Sequence, residues 1–262
     1  MPPRALTVAG SDSGGGAGIQ ADLKTFQVLG VFGLTAVTAV TVQNTRGVTG
    51  YEELSPRLVG DQIRAVVTDI GADAAKTGML ASARIIEAVA DALAETGVTN
   101  LVVDPVFVSK HGHPLLAEEA VDALRTWILP LATLVTPNLH EAGGLAGFRV
   151  VSREDMERAA AAILELGPRA VLVKGGHLRG EAADLFAPAD GAGTEWLEAE
   201  RIDTPHTHGT GCVLSASITA YLALGEALPE AVRRGKEFVT EAIRHGLAIG
   251  GGIGPANPAW KP

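Results

Sequence analysis

Short apolar runs recur along this chain, each closed by glycine, proline or a polar residue, with stretches of helical periodicity between them. Ala5–Ala9 predicts a buried strand. It runs into the glycine-rich loop Gly10–Gly18 and then a helix, apolar at Ile19, Leu23, Phe26 and Leu29. Leu34 to Val42 alternates threonine with alanine and valine, a β-branched strand, and ends in a loop over Gln43–Gly47. Ser55-Pro56 opens a helix to Ile70, stopped by Gly71. Ala74–Gly78 is a short strand and turn before Met79, and Ser82 caps a helix with Ile85, Ile86, Val89 and Leu93 on its apolar face. Three further strands, Leu101–Val103, Leu134–Thr136 and Ala170–Val173, are closed by Asp104-Pro105, Pro137-Asn138 and Lys174-Gly175-Gly176. Between them lie helices over Leu116–Ile128 and Ser152–Leu166. Asp184–Ile202 breaks into short pieces that suggest a hairpin. One helix follows Cys212, another runs from Pro229 to about Leu247, and the glycine- and proline-rich end from Leu247 to Pro262 reads as loop.

This rhythm predicts an α/β fold of three layers, a mostly parallel central sheet with helices on both faces, with residues 1–262 as a single domain. Ligands of such sheets bind at the carboxyl ends of the strands. Asp104, Asn138, Glu141 and Lys174 all follow apolar strands, in company with two glycine-rich turns. Asn138 and Glu141 are candidates to hold Mg²⁺ through waters, and Lys174 to neutralise a phosphate.

The second turn, His208-Gly209-Thr210-Gly211-Cys212, opens a helix. A helix N-terminus presents unpaired N–H groups and a partial positive charge, the makings of an anion site. An ordinary glycine-rich turn before a buried helix is the alternative reading. At that position a cysteine thiol is expected to have a lowered pKa. Asp22, early in the first helix, either complements the helix dipole or binds a polar substrate group, and Gln43 either meets a heterocycle or is a solvated loop residue. Together these residues form the parts list of phosphoryl transfer. The first glycine loop fails the dinucleotide fingerprint, because Ile19 stands where the last glycine belongs, and there is no P-loop.

Composition narrows the field. A chain of 262 residues with 47% hydrophobic residues can bury a large core. The net charge of −9 argues against a general nucleic-acid surface. One cysteine excludes an internal disulfide and suits a reducing cytoplasm. No signal-peptide pattern and no membrane-length apolar run are evident, so a cytoplasmic protein free of membrane is expected, with a homodimer as its assembly. His111/His113 and His206/His208 form H-x-H pairs without further zinc ligands at suitable spacing and read as solvated loops.

The stretch from Ala9 to Thr25 resembles the opening of the hydroxymethylpyrimidine and phosphomethylpyrimidine kinases of thiamine biosynthesis, within the ribokinase-like superfamily. Gln43–Gly47, Lys76–Leu80, Thr136–Glu141, Val173–His177 and Thr207–Cys212 match the same family in order, so the resemblance covers nearly the whole chain. It implies a ribokinase-like kinase using ATP and Mg²⁺ on a small pyrimidine. Asp22 and Gln43 would hydrogen-bond the aminopyrimidine, with Gly10, Met79 and Val106 lining its pocket. Asn138 and Glu141, with Asp104, would help hold Mg²⁺–ATP, and Lys174 and Thr210 would contact ATP. Gly209, Thr210 and Gly211 would form the anion hole, and Cys212 would take the place of the aspartate base of related sugar kinases. His206, and Ala256-Asn257 after the terminal Gly-Ile-Gly-Pro, depart from the family pattern at the rim. A pyridoxine or pyridoxal kinase, and a catalytically weak pyrimidine or nucleotide sensor, are the alternatives.

Overall fold

The computed structural model describes residues 1–107, 118–176, 178 and 182–260. The His111/His113 pair, His177 and the first two residues of the helix expected from Leu116 lie outside them. In chain order the elements are β1 (Arg4–Ser11), α1 (Gly18–Val28), β2 (Phe32–Asn44), β3 (Gly47–Glu53), α2 (Pro56–Asp69), β4 (Ala74–Thr77), α3 (Ala83–Thr96) and β5 (Leu101–Val103). There follow α4 (Glu118–Ala123, continued by irregular turns to Leu131), β6 (Leu134–Val135), α5 (Leu139–Ala146), α6 (Arg153–Leu164), β7 (Ala170–Val173), β8 (Asp184–Pro188), β9 (Glu195–Leu197), α7 (Thr210–Ala223) and α8 (Leu228–Arg244).

The nine strands form one sheet in the order β3-β2-β1-β4-β5-β6-β7-β8-β9. The six from β2 to β7 run parallel; β3, β8 and β9 are antiparallel additions. Side chains alternate across a strand, and the apolar runs divide accordingly. Leu6, Val8, Ala75, Val103, Val135, Val171 and Val173 face one core with α2 to α6. Ala74, Val102, Leu134, Ala170 and Leu172 face another with α7 and α8, and Ala5 packs with Phe26 of α1. Helices on both faces bury the strands twice over, which is why they are continuous apolar runs.

Two elements depart from the sequence reading. The loop expected after Gln43 is a tight turn into β3, a strand of half-buried and exposed residues that carries no apolar run. The short helix α5 follows Asn138, in a stretch that carries two glycines.

Candidate active site

Each candidate residue rides on a strand end or a helix start, and the backbone pairing carries on past the strands. Asp104 N donates to Thr77 O (3.2 Å) and Lys174 N to Pro137 O (2.7 Å), so residues 76, 104, 138 and 174 converge on one edge. They line a cavity of about 1200 Å³. On its wall Lys174 Nζ lies 2.9 Å from Asp104 Oδ1 and 3.9 Å from Glu141 Oε2. Both carboxylates are buried. Burial alone would lower the ammonium's pKa; Asp104 and Glu141 outweigh it and raise it, so Lys174 is charged at every working pH. Burial pushes the Glu141 carboxyl up to about 7; Lys174 opposes the shift and Asp104 adds to it. Two carboxylates thus share one ammonium.

Asn138 starts α5. Its side-chain oxygen accepts from His140 N (2.9 Å) and Glu141 N (3.0 Å), while Glu141 Oε2 accepts from Asn138 N (2.8 Å). This is a reciprocal capping box. A carbonyl oxygen has two lone pairs, and both are committed to the cap, so Asn138 orients Glu141.

Opposite stands the N-terminus of α7. Gly209 adopts φ +74°, and a Cβ there would fall 1.8 Å from Gly16 O, so only glycine lets the two glycine loops interlock. No side chain caps the helix and its first turn holds no acid. The amides of Gly211 and Cys212 have no carbonyl of their own helix to bond. Thr210 donates its hydroxyl to Thr207 O (2.8 Å) and lines the cavity. A Cβ on Gly211 would lie 3.5 Å from Lys174 Nζ, so the amides and the ammonium face one small volume.

Cys212 is half-buried at this helix start. Burial pushes its thiol up to about 12; Lys76 pulls it down, but Asp22 and Asp104 push it further up. The expectation of a lowered pKa is therefore reversed. A helix terminus favours a thiolate by a modest amount, and desolvation beside two carboxylates outweighs it.

Asp22 also differs from expectation. It is fully buried and does not line the cavity. Its Oδ2 accepts from Thr7 Oγ1 (2.6 Å), and both oxygens meet Lys76 Nζ (3.0 and 3.1 Å). Thr7 and Lys76 are register partners of β1 and β4, so α1 lays Asp22 over both. Asp22 therefore acts on the site through Lys76, which does line the cavity and which sequence reasoning passed over. The available signal was a lysine inside the short apolar strand Ala74–Thr77, since lysine is almost never buried unless paired.

Another part of the same cavity is formed around Gly10 and Gln43. A Cβ on Gly10 would come 3.2 Å from Met79 Sδ; Val106 lines the same cavity. Gln43 lies across it, its side chain 3.1 Å from Thr41 Oγ1 and 3.3 Å from His208 Nε2. His206 does not line the cavity, and Ala256 N donates to His208 O (3.0 Å), bracing the rim from behind. No group of three metal-ligating side chains occurs among the described residues, and none of their helices is long and apolar enough to cross a membrane.

Holding a polyphosphate at a helix start while a second compartment takes a small polar ring is the work of a small-molecule kinase, and fold and site together define that class. A family model described as Phosphomethylpyrimidine kinase matches residues 12–257. The hydroxymethylpyrimidine/phosphomethylpyrimidine kinase of Streptomyces coelicolor is 56% identical over 259 residues, covering 99% of this chain and 95% of that protein. Among solved structures, the ADP complex of Bacillus subtilis pyridoxal kinase superposes with a TM-score of 0.92 at 42% identity, covering 99% of this chain and 98% of that one. The phosphomethylpyrimidine kinase of Clostridium difficile superposes with a TM-score of 0.81 at 44% identity, covering 92% and 99%. The chain belongs to the phosphomethylpyrimidine kinase family, in the ribokinase-like fold, and is a phosphotransferase.

Proposed function

We propose that this enzyme transfers the γ-phosphoryl group of ATP to the hydroxymethyl group of 4-amino-5-hydroxymethyl-2-methylpyrimidine, and then to the resulting monophosphate, in thiamine biosynthesis. The observation that carries this reading is the single continuous cavity that joins the ring compartment of Gly10, Gln43, Met79 and Val106 to the phosphate wall of Lys174, Gly211 and Cys212. A substrate hydroxyl can lie beside Cys212 with the phosphates between α7 and Lys174.

Phosphoryl transfer passes through a loose transition state, so positioning and electrostatics supply most of the catalysis. The Lys174 ammonium, held by Asp104, is fixed and charged before ATP arrives, and needs no reorganisation as charge moves onto the leaving oxygen. The Gly211 and Cys212 amides face the transferred group from the other side. The Cys212 thiol stays protonated and packs against the hydroxyl. The donor set also fits Mg²⁺: Asp104 and Glu141 bring two carboxylates against one ammonium, Lys174, and this ion takes one or two carboxylates along with waters and phosphates. When bound it would neutralise phosphate charge.

A coupled assay of ADP release tests the reading. Turnover that depends on the pyrimidine alcohol is expected; ADP release that no added alcohol stimulates would remove it. The likeness to pyridoxal kinase at a TM-score of 0.92 supports a second reading, pyridoxal as an additional substrate, which the same assay scores directly.

A further inference from the structure

A buried carboxylate stands behind the turn that carries Lys174. Strands β7 and β8 pair antiparallel, with Val173 opposite Leu185, so Asp184 comes level with Lys174 at the end of the shared ladder. Asp184 is buried. Its Oδ1 accepts from Gly175 N (2.8 Å) and its Oδ2 from Lys236 Nζ (2.7 Å). The turn passes hard against the chain entering β8: a Cβ on Gly175 would fall 1.9 Å from Ala183 O. The backbone on one side of Lys174 is thus held by Pro137 O, through the Lys174 amide, and on the other side by the Asp184 side chain.

Lys236 comes from α8. Gly235 lets that helix lie close on α7, since a Cβ there would meet Ile218 Cγ1 at 2.4 Å. The next residue, Lys236, reaches across to Asp184, and its Nζ also lies 3.3 Å from Ala182 O. Helix α7 carries the Gly211 and Cys212 amides that face Lys174. The Asp184–Lys236 pair therefore joins the two walls of the phosphate site, the turn after β7 on one side and the packed helices α7 and α8 on the other. A carboxylate suits this place because it has an acceptor oxygen for each donor; a carboxamide would turn its amino group toward one of them. The spacing matters because fixed donors stabilise developing charge only at hydrogen-bond distance.

We infer that Asp184, held by Lys236, is a positioning residue that sets the turn after β7 and so aims the Lys174 ammonium at the amides of α7. Both of its oxygens are spent on donors of the protein, so it acts through Lys174 and not on the phosphates. Lys236 anchors it to α8, which fixes the width of the site as well as the direction of the ammonium. This inference rests on Lys174 being the group that faces the transferred phosphoryl.

A double-mutant cycle tests it, read by coupled ADP release at saturating ATP and pyrimidine alcohol, with thermal melting to confirm folding. Asp184→Asn should lower kcat by about tenfold, the scale of a lost hydrogen bond to a charged group, with KM for the pyrimidine alcohol little changed. In a Lys174→Met background the same substitution should lower kcat by less than about twofold, because no ammonium remains to be aimed. Lys236→Met should reproduce the loss, and Lys236→Arg, which keeps a cation for Asp184, should restore most of it. Wild-type kcat in folded Asp184→Asn, or an undiminished loss in the Lys174→Met background, overturns the positioning role. A Lys236→Arg enzyme no better than Lys236→Met overturns the part given to Lys236. If Asp184→Asn does not fold, Lys236→Met takes its place in the cycle, with the same outcomes. If Lys174→Met alone leaves kcat unchanged, the reading of Lys174 as the phosphate-facing group fails, and that result is distinct from an undiminished loss in the cycle.

Discussion

Replacing Cys212 by alanine separates two accounts of how the hydroxyl is activated. A general base contributes about 10²–10⁴-fold when its pKa lies near the working pH. Burial and the nearby Asp22 and Asp104 push this thiol up to about 12. At about pH 7.5 the thiolate then amounts to roughly one molecule in 10⁴ to 10⁵. So small a population makes a poor base, and in a loose transition state the attacking hydroxyl needs little help. Cys212→Ala should lower kcat by less than about tenfold. Lys174→Met, by contrast, should lower it by about 10²–10³-fold, the loss seen when one fixed donor to developing charge is removed. The assay is coupled ADP release at saturating ATP and pyrimidine alcohol, with thermal melting to confirm folding. Because the chain has one cysteine, ultraviolet absorbance of the thiolate titrates Cys212 alone, and no signal is expected near neutral pH. A loss of a hundredfold or more in folded, substrate-binding Cys212→Ala, or a thiolate near neutral pH, would refute this reasoning.

Three further outcomes follow from the buried charges. Lys174→Met should also cost stability, by about 3–5 kcal/mol, because it leaves Asp104 buried and unpaired; denaturant unfolding measures it. Asp22→Asn strands the fully buried Lys76 ammonium and should lose a similar amount, about 3–5 kcal/mol, read in the same way. Glu141 sets a pH dependence. Its folded pKa of about 7 lies above the ordinary 4.5, so the folded state binds the extra proton, and the associated stability is present at low pH and lost as pH rises through about 7. In magnesium- and nucleotide-free buffer, wild type should lose up to about 3 kcal/mol relative to Glu141→Gln between about pH 4.5 and 7.5; parallel stability curves for the two proteins would contradict it.

The parallel sheet was legible because strands buried on both faces are apolar throughout, as Leu101–Val103 and Ala170–Val173 are. β3 escaped notice because half-exposed strands such as Gly47–Glu53 carry no such run. α5 was hidden by its two glycines, although the Asn138-x-x-Glu141 spacing is itself a capping box that marks a helix start. Within the site, sequence order located the strand ends and so the cavity wall. It could not give the side on which a side chain is spent. Asp22 is occupied by Lys76 across a register that only folding creates, and Asn138 by its own helix. The thiol of Cys212 went the wrong way for the same reason: a helix start is visible in sequence, whereas two carboxylates from α1 and the end of β5 arrive only in three dimensions.

The central claim is a kinase that phosphorylates the pyrimidine alcohol and then its monophosphate on one site. Phosphorus-31 NMR of a reaction started from the purified protein, excess ATP, Mg²⁺ and the alcohol reads both transfers at once. A monoester resonance is expected to rise first, and a pyrophosphate ester to grow as the monoester falls. A spectrum in which ATP is consumed without either ester, or in which pyridoxal is phosphorylated and the pyrimidine is not, would contradict it.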